Sequence, residues 1–441
     1  MSFGSRNRLT LRARGRMVVM ATSVAAALVA LPTAPARAVD ARSVTIDGTV
    51  ALGTAAFRAQ GFLHGLNTNT NTAKVSALTP QNWRVSNNDN YDRAKSYGAK
   101  VTWVVSDSCT KILGPVTYQN CVANLVSGSI SGNRPVDYWD VWNEPDHEGV
   151  LTSAQILDYF RITINQIRAI DPNAKIEGPS LAVYDDSGAC NKIDLKCFLD
   201  YILNQQLKVD VLSWHEIIDK TGAQVKPTDI GAHITAARAL VAARPGLLNT
   251  NPLYHVGEYS DSQNYAAPGW TVAWMRYLEE NDVDAGIRAC WDATEAGTTY
   301  STCSDGLDGL LARDNTTERP IYWVHRVYAG LKGSRVATSH SNTDTVAYGA
   351  KDPTHSELGG LIGRWSVGTV NPAANVTVTM KVPYALSQMH LTVYRFQNGV
   401  FTQPSPLVIT SNQLVSVTSG QVVFTLSNFV DGDAYSVELV P

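Results

Sequence analysis

Short apolar runs rich in β-branched and aromatic residues alternate with segments of helical period between residues 57 and 330 of this 441-residue chain. Such alternation is typical of repeated β/α units and of a parallel sheet. Eight strand candidates can be counted, at residues 61–66, 83–86, 99–105, 136–142, 175–178, 209–214, 253–258 and 285–291. Their number and spacing predict an α/β fold of the (β/α)₈ type, the TIM barrel.

The helical period is clearest at residues 153–170, where Ile156, Phe160 and Ile164 fall on one face and Asp171-Pro172 follow the last turn. Further helices are predicted at residues 91–97, 116–126, 198–205, 230–243, 270–280 and 320–331. The crossover between residues 66 and 83 is rich in Asn and Thr. We expect it to be only partly helical.

Beyond Gly333 the pattern changes to alternating apolar and polar residues, for example at residues 376–380, 391–394 and 435–439. This alternation predicts an all-β sandwich over residues 333–441. Residues 39–56 contain another strand, which we expect to join the sandwich. The predicted organisation is therefore a signal peptide (1–38), the N-terminal strand segment (39–56), the catalytic barrel (57–332) and the sandwich (333–441).

Residues 1–38 have the pattern of an export signal. Five arginines lie between Arg6 and Arg16, an apolar stretch covers residues 17–31, and a small-residue cleavage pattern ends at Ala38. We expect a secreted protein, with an uncleaved N-terminal anchor as the alternative. Removing the signal leaves 30 Lys+Arg against 39 Asp+Glu, a balance of −9. This charge disfavours nucleic acid and anionic surfaces as partners, and we expect no membrane association of the mature form.

The six cysteines form three locally spaced pairs, Cys109 and Cys121, Cys190 and Cys197, and Cys290 and Cys303. In an exported chain the sequence-local pairing is the simplest, so three disulfides are predicted. A zinc site is the alternative, but no Cys-x-x-Cys or Cys/His spacing favours it. We expect no metal.

Trp142-Asn143-Glu144-Pro145 ends the fourth strand candidate, and Glu258 ends the seventh. Because the strands of such a barrel end at one rim, the two carboxylates are predicted to share a cleft. A pair of this kind suits double displacement at a glycosidic bond. Glu144 would protonate the leaving oxygen and later activate water, while Glu258 would attack the anomeric carbon.

Other interpretations of these acids stay open. Glu144 could cap a helix beginning at Pro145, and Glu258 could be a solvated loop acid. Glu216, Asp146 and Glu148 are rival carboxylates. Residues 146–148 also resemble metal ligands, but three successive residues cannot easily converge on one ion.

On these motifs the chain resembles clan A of the glycoside hydrolases, and most closely family 39. The resemblance covers residues 61–330 and, more loosely, the sandwich. In that clan an Asn-Glu pair ends strand four and a Glu ends strand seven. The resemblance therefore implies that Asn143 holds the sugar 2-hydroxyl, that Glu144 is the acid/base and Glu258 the nucleophile, and that no cofactor is needed.

Four further positions fit this resemblance. Arg84 is similar to a strand-two arginine that would keep the nucleophile ionised, with a surface cation as the alternative. His215 is similar to a strand-six histidine that lines the sugar site, with a core histidine as the alternative. Trp291 is a candidate platform for a sugar face, or a buried packing residue. His64 is a candidate for a hydroxyl contact.

One departure from the family pattern follows His215. Relatives often carry an aromatic residue two positions later, whereas this chain has Glu216-Ile217-Ile218. We therefore expect an altered sugar pocket. Glu216 would bind hydroxyls or form part of a subsite, and a solvated loop glutamate is the alternative.

The sequence thus predicts a secreted retaining glycoside hydrolase that acts on a polysaccharide, oligosaccharide or glycoconjugate. A non-catalytic carbohydrate-binding or cell-wall protein on the same barrel is the alternative from another class, and an inverting hydrolase is a third. Sugar identity, exo or endo action and oligomeric state have no signature in the motifs.

Overall fold

The computed structural model describes residues 41–109 and 114–441. The predicted export signal lies outside these residues. From residue 41 onward the described chain belongs to one compact unit. None of the helices in the described residues has the length and apolar character needed to span a bilayer.

The chain begins with a long strand, β1 (Ala41–Thr54), and then enters the barrel. The barrel strands are β2 (Gly61–Leu63), β3 (Asn82–Val85), β4 (Lys100–Val104), β5 (Tyr138–Asp140), β6 (Ile176–Leu181), β7 (Val211–Glu216), β8 (Leu253–Tyr259) and β9 (Ala285–Arg288). They close into a barrel in chain order, because β2 pairs in parallel with both β3 and β9. The predicted eight-stranded barrel is confirmed.

The helices are α1 (Thr72–Ala77), α2 (Asn88–Ser96), α3 (Val105–Ser108), α4 (Pro115–Ser131), α5 (Ser153–Ile170), α6 (Leu195–Asn204), α7 (Ile230–Ala242), α8 (Pro268–Glu280) and α9 (Pro320–Gly330). Helix α5 has the predicted limits because Thr152 and Gln155 form a capping box at its start. Its buried face includes Ile156, Phe160 and Ile164, as the helical period predicted. The first crossover contains only the short α1.

The barrel wall has an apolar outside and a polar inside. Outward side chains pack under the helices, as Trp142 does against Phe160 of α5, with ring centroids 6.2 Å apart. Inward side chains near the rim include Arg84, Asp140 and Glu177, each at most 1% exposed. Because neighbouring residues of a strand point to opposite faces, one short strand can place apolar side chains under the helices and polar side chains inside the barrel.

After β9 a two-stranded hairpin, β10 (Asp292–Glu295) and β11 (Thr298–Ser301), precedes the second sheet. The second sheet adds β12 (Ser334–His340), β13 (Thr345–Asp352), β14 (Glu357–Arg364), β15 (Ala374–Lys381), β16 (Gln388–Phe396), β17 (Leu407–Ser416), β18 (Gln421–Phe429) and β19 (Ala434–Val440). Strand β1 lies between β12 and β15 in its nine-stranded order. It pairs antiparallel with β12 and parallel with β15.

The second sheet buries one face in its own core. Burial alternates along β15, where Val376, Val378 and Met380 are buried and their neighbours are more exposed. These side chains cluster with Val44 and Ile46 of β1 and with residues of six further strands. The predicted all-β sandwich is confirmed, while the exact domain limits stay predictions.

Helix α8 of the barrel packs tightly against the sandwich. The Gly269 N–H donates to the carbonyl of Gly432 at 2.7 Å. A Cβ added at Gly269 would overlap the carbonyl oxygen of Arg364, so only glycine fits this contact. Beside it, the rings of Trp270 and Trp365 meet edge to face at 5.0 Å.

Three disulfides join Cys109 to Cys121, Cys190 to Cys197, and Cys290 to Cys303. The predicted pairing is confirmed. Disulfides persist in oxidising compartments, so they suggest an extracellular protein.

Candidate active site

The carboxyl ends of the barrel strands bring most of the predicted site residues to one rim. His64 follows β2, Arg84 lies in β3, Glu144 follows β5, and His215 and Glu258 lie near the ends of β7 and β8. These strands are far apart in sequence but adjacent or facing in the barrel.

Arg84 is the central cation of this rim. Its Nη1 donates to Glu258 Oε1 at 3.0 Å, and its Nη2 donates to Asn143 Oδ1 at 2.9 Å. Its Nε and Nη2 also donate to Asp140 Oδ2 at 3.0 and 2.7 Å. The side chain is 1% exposed, so the alternative of a surface cation is wrong.

Charge keeps this arginine protonated. Burial lowers the pKa of Arg84, but the carboxylates of Asp140 and Glu258 raise it more, and the net pKa lies above its ordinary value. A guanidinium with its donors in a fixed fork can thus hold two carboxylates and one amide at once.

Glu144 sits in a tight turn at the end of β5. Its φ of 52° lies in the left-handed region, and its N–H donates to the Ser180 carbonyl at 3.0 Å. Its side chain makes no capping bond to the following turn, so the helix-cap interpretation is wrong. A non-glycine residue in this conformation costs about 1–3 kcal/mol, which the surrounding contacts must offset.

His215 bonds one of the two acids and lies opposite the other in the barrel wall. Its Nδ1 lies 3.1 Å from Glu144 Oε1, and His215 stands opposite Glu258 in the β7–β8 register, just after a bulge. The bond with His215 is the main influence that lowers the pKa of Glu144, although burial opposes it. Burial lowers the pKa of His215, but the charge of Glu258 and the bond to Glu144 outweigh it and raise that pKa.

Glu258 belongs to β8 and its side chain is 15% exposed. It is therefore not the solvated loop acid of the alternative interpretation. Gly257, directly before it, leaves room for the His215 ring, because an added Cβ would lie 3.2 Å from His215 Cδ2. Close approach of the histidine thus depends on the small residue beside the acid.

The amide of Asn143 has a fixed orientation. Its Oδ1 accepts from Arg84, and its backbone N–H donates to Ser106 Oγ at 2.9 Å. Since only the oxygen of an amide can accept from a guanidinium, the Nδ2 group is the end left for another partner.

His64 and Trp291 complete the predicted set at this rim. His64 has a φ of 42°, and burial together with the charge of Arg84 lowers its pKa to about 4. Trp291 follows β9, is partly exposed, and donates from Nε1 to the Ser260 carbonyl at 3.1 Å. That bond fixes the indole beside the end of β8.

The structure does not bring Glu216 together with the two acids. Glu216 is 0% exposed, so the alternative of a solvated loop glutamate is wrong. Its Oε1 accepts from Trp214 Nε1 at 2.6 Å and lies 2.8 Å from His233 Nδ1, and Tyr184 stacks on His233. The neighbouring His215 points inward, so Glu216 points outward to the helices. Its predicted sugar contact gains no support from this position.

The rival acid Asp146 has a structural partner as well. Its two carboxylate oxygens accept from the N–H groups of Ala182 and Val183 at 2.8 and 3.1 Å. Burial raises its pKa despite these bonds. Asp146 thus holds the loop after β6 against the turn that carries Glu144.

A buried network beneath the rim escaped prediction. Asp140 Oδ2 also accepts from Ser180 Oγ at 3.1 Å, and Glu177 Oε2 lies 3.0 Å from His255 Nδ1. Burial raises the pKa of Asp140, Arg84 lowers it and Glu177 raises it, with a net pKa of about 7. The signal in the sequence was an aspartate inside an otherwise apolar strand, which is costly unless it is paired.

The arrangement combines one carboxyl group bonded to a histidine, one carboxylate held by an arginine, and a free amide end. Such a set can transfer a proton and supply a nucleophile. Two clusters among the described residues have metal-ligand spacing, Cys190–Asp194–Cys197 and Asp352–His355–Glu357, and neither includes a residue of this rim.

An eight-stranded parallel barrel with an Asn-Glu pair after the fourth strand, a Glu on the seventh and a β-sandwich behind it is what the resemblance to clan A of the glycoside hydrolases predicts. The model of Glycosyl hydrolases family 39 matches residues 115–242, which include Glu144 and His215. The predicted resemblance to glycoside hydrolase family 39 is confirmed, and it supports a glycoside hydrolase. No curated protein matches the chain.

Solved structures share the whole fold at low identity. N2152 from Neocallimastix frontalis has a TM-score of 0.74 and 21% identity over 91% of this chain and 99% of its own. The GH39 enzyme from Xanthomonas axonopodis pv. citri has a TM-score of 0.65 and 16% identity, with 91% and 97% covered. A monomeric beta-xylosidase from Caulobacter crescentus CB15 has a TM-score of 0.63 and 14% identity, with 91% and 99% covered. These likenesses establish the fold of barrel and sandwich.

Proposed function

We propose that the protein is a secreted retaining glycoside hydrolase in which Glu258 is the nucleophile and Glu144 the general acid and base. One observation carries the proposal. A single guanidinium, that of Arg84, binds Glu258 and Asn143 through neighbouring nitrogens at 3.0 and 2.9 Å, and Asn143 directly precedes Glu144. Arg84 thus joins the proposed nucleophile to the turn that carries the proposed acid, which supports a cleft shared by the two.

In the first step Glu258 attacks the anomeric carbon, the glycosidic C–O bond breaks, and Glu144 gives its proton to the leaving oxygen. In the second step Glu144 takes a proton from water, the water oxygen attacks the same carbon, and Glu258 leaves as a carboxylate. Arg84 donates to Glu258 Oε1 at 3.0 Å, so it orients the carboxylate that attacks in the first step and leaves in the second.

Asn143 has the orientation that substrate binding needs. Its oxygen is held by Arg84, so its Nδ2 can donate to the 2-hydroxyl of the sugar that Glu258 attacks. A donor at this hydroxyl strengthens its bond as charge develops at the anomeric carbon. Asn143 would thus contribute more to the rate than to ground-state binding.

The bond between His215 and Glu144 determines the pH range in which we expect activity. Because it lowers the pKa of Glu144, the protonated acid persists only on the acidic side of that group's usual range. The basic limb of kcat/KM reports this group in the free enzyme. We therefore expect an acidic pH optimum.

A neutral poly- or oligosaccharide is the proposed substrate. Similar structures are named as a glucosidase, a beta-xylosidase and a xyloglucanase. The rim also suits such a ligand, because the charges of Arg84, Glu144 and Glu258 are engaged in bonds with one another or with His215. Export is supported by the pattern of residues 1–38 and by the three disulfides.

The test uses Glu144→Ala and Glu258→Ala on a chromogenic glycoside, with the product anomer followed by NMR. Both variants are expected to lose activity by about 10³-fold or more and to keep the wild-type unfolding midpoint. Azide should rescue Glu258→Ala with inverted product and Glu144→Ala with retained product, because the small anion replaces a different group in each.

Two outcomes would contradict the proposal. An inverted product from the wild-type enzyme would replace double displacement by a single displacement. Sugar binding without bond cleavage across a broad glycan panel would identify a carbohydrate-binding protein built on this barrel.

A further inference from the structure

A groove of about 570 Å³ opens at the same rim, beside His64. Its walls come from three neighbouring parts of the barrel: the loop after β2, the start of α2 after β3, and the loop after the β10–β11 hairpin. The residues that line it and carry polar side chains include Asn67, Ser86, Asp89, Arg93 and Ser304. Neither of the two acids lines the groove, but His64 does, and Ser86 of its lining lies two residues after Arg84.

The walls of the groove are tied to one another. Asn67 Nδ2 donates to the Ser304 carbonyl at 2.8 Å, and Arg93 Nη1 donates to the Asn67 carbonyl at 2.8 Å. The Gly65 N–H donates to the Cys303 carbonyl at 2.9 Å, and Cys303 is fixed by its disulfide. The groove is thus preformed, so a ligand would not have to order its walls.

The lining offers hydrogen-bonding groups that the protein itself does not use. Within the described residues, the side chains of Ser86, Asp89 and Ser304 have no hydrogen-bond partner, and Asn87 uses only its Oδ1, to cap α2. Several free donors and acceptors in a concave site suit a ligand rich in hydroxyl groups. Asp89 and Arg93 carry opposite charges, so the lining favours a neutral sugar over a polyanion.

The groove lies on the side of the barrel away from the acid. Strands β9, β2 and β3 border it, whereas Glu144 follows β5 and its partner His215 belongs to β7. In the closed order β2 and β6 are four strands apart and face each other across the barrel. The leaving group must reach the proton of Glu144, so it occupies the β5–β7 side. The opposite side is left for the sugars that remain attached to the attacked carbon.

We propose that this groove binds a second sugar of a neutral glycan chain, next to the sugar that Glu258 attacks and on its non-reducing side. The inference rests on the proposed function and deepens it. An enzyme with such a site gains transition-state stabilisation from a sugar beyond the reacting one. It therefore cleaves within chains or releases disaccharides and longer fragments, rather than removing single terminal sugars.

The experiment compares 4-nitrophenyl β-xyloside with the β-xylobioside, and the β-glucoside with the β-cellobioside. We expect kcat/KM to be at least about 10-fold higher for one disaccharide glycoside than for its monosaccharide counterpart, from one or two extra hydrogen bonds. The double variant Asp89→Ala with Ser304→Ala should lose most of this preference. Its activity on the monosaccharide glycoside should stay unchanged.

Asp92→Ala is the matched control, because Asp92 lies on the same helix but pairs with Arg134 outside the groove. It should keep the full preference for the disaccharide. Equal kcat/KM for mono- and disaccharide glycosides in the wild-type enzyme would overturn the groove assignment and leave the hydrolase assignment standing.

Absence of hydrolysis on all four substrates would count against the proposed function instead. The groove is then tested by calorimetric titration of xylotetraose and cellotetraose. Binding that weakens about 10-fold in the Asp89 and Ser304 double variant supports the groove. An affinity equal to that of the wild type, or no binding of either sugar, overturns it.

Discussion

Replacing Arg84 by Lys keeps the positive charge but removes the planar guanidinium that donates to several side chains at the rim. Arg84 makes five hydrogen bonds there, from three nitrogens to four different side chains. A lysine has one nitrogen with three donors, so it cannot reach Asp140 on one side and Glu258 with Asn143 on the other. We expect the ammonium to stay with the fully buried Asp140, because an unpaired carboxylate costs most there.

The expected loss of activity follows from the hydrogen bonds that the substitution removes. If the bonds to Glu258 and Asn143 are both lost, each worth about 1.5–2 kcal/mol as a bond of a charged donor, the transition state loses about 3–4 kcal/mol. At about 1.4 kcal/mol for each factor of ten, kcat/KM should fall by about 10²- to 10³-fold. Most of the loss should appear in kcat, because both groups act on the reacting carbon and its 2-hydroxyl.

The assay combines steady-state kinetics with urea unfolding of the same preparations. Arg244→Lys is the matched control: Arg244 is 8% exposed and donates to Asp200 at 2.7 Å, after the end of α7 and away from the rim. It should lower the free energy of unfolding and leave kcat/KM unchanged. Activity of Arg84→Lys within about threefold of the wild type, in a folded protein, would refute the role given to this arginine.

Two further substitutions test the site and the packing. His215→Ala removes the bond that lowers the pKa of Glu144, so that pKa should rise and the basic limb of the kcat/KM profile should move to higher pH; an unmoved limb would show that His215 does not control the acid. Gly269→Ala places a Cβ against the carbonyl oxygen of Arg364 and should lower the free energy of unfolding by about 1–3 kcal/mol or prevent folding. Gly330→Ala, where a Cβ meets open space, is its control, and an equal effect of the two would contradict the steric argument.

The fold could be predicted because periodicity is a local property. The limits of α5 were predictable from its own apolar spacing and from the residues that begin and end it. The limits of other elements were less predictable from the sequence. Val105, for example, continues the apolar run of β4 but already belongs to α3, since where a strand ends depends on its neighbours in the barrel.

The site was predictable where it depended on strand order. Glu144 and Glu258 could be placed at one rim because both follow strands of a parallel barrel. The partner of Glu216 could not be predicted, since His233 comes to it from another element. Alternation along β7 could have shown that Glu216 and His215 point to opposite faces.

Pairing inside the barrel was the least predictable part. Asp140 and Glu177 each lie in a strand whose residues are otherwise mostly apolar. In the sequence pattern both are only charged exceptions in an apolar run, without an evident partner. Their partners, Arg84 and His255, belong to strands far away in the sequence. Only the closed barrel shows that these charges compensate one another.

The central claim is that Glu258 forms a covalent bond with the sugar. The most direct measurement is intact-mass spectrometry after incubation with 2-deoxy-2-fluoro glycosyl fluorides, in which the 2-fluorine slows both steps and the good fluoride leaving group speeds the first, so that the covalent intermediate accumulates. The protein should gain the mass of one fluorosugar on the peptide that contains Glu258, and Glu258→Gln should gain none. An adduct on another residue would contradict the claim, and so would its absence in a preparation that hydrolyses the parent glycoside.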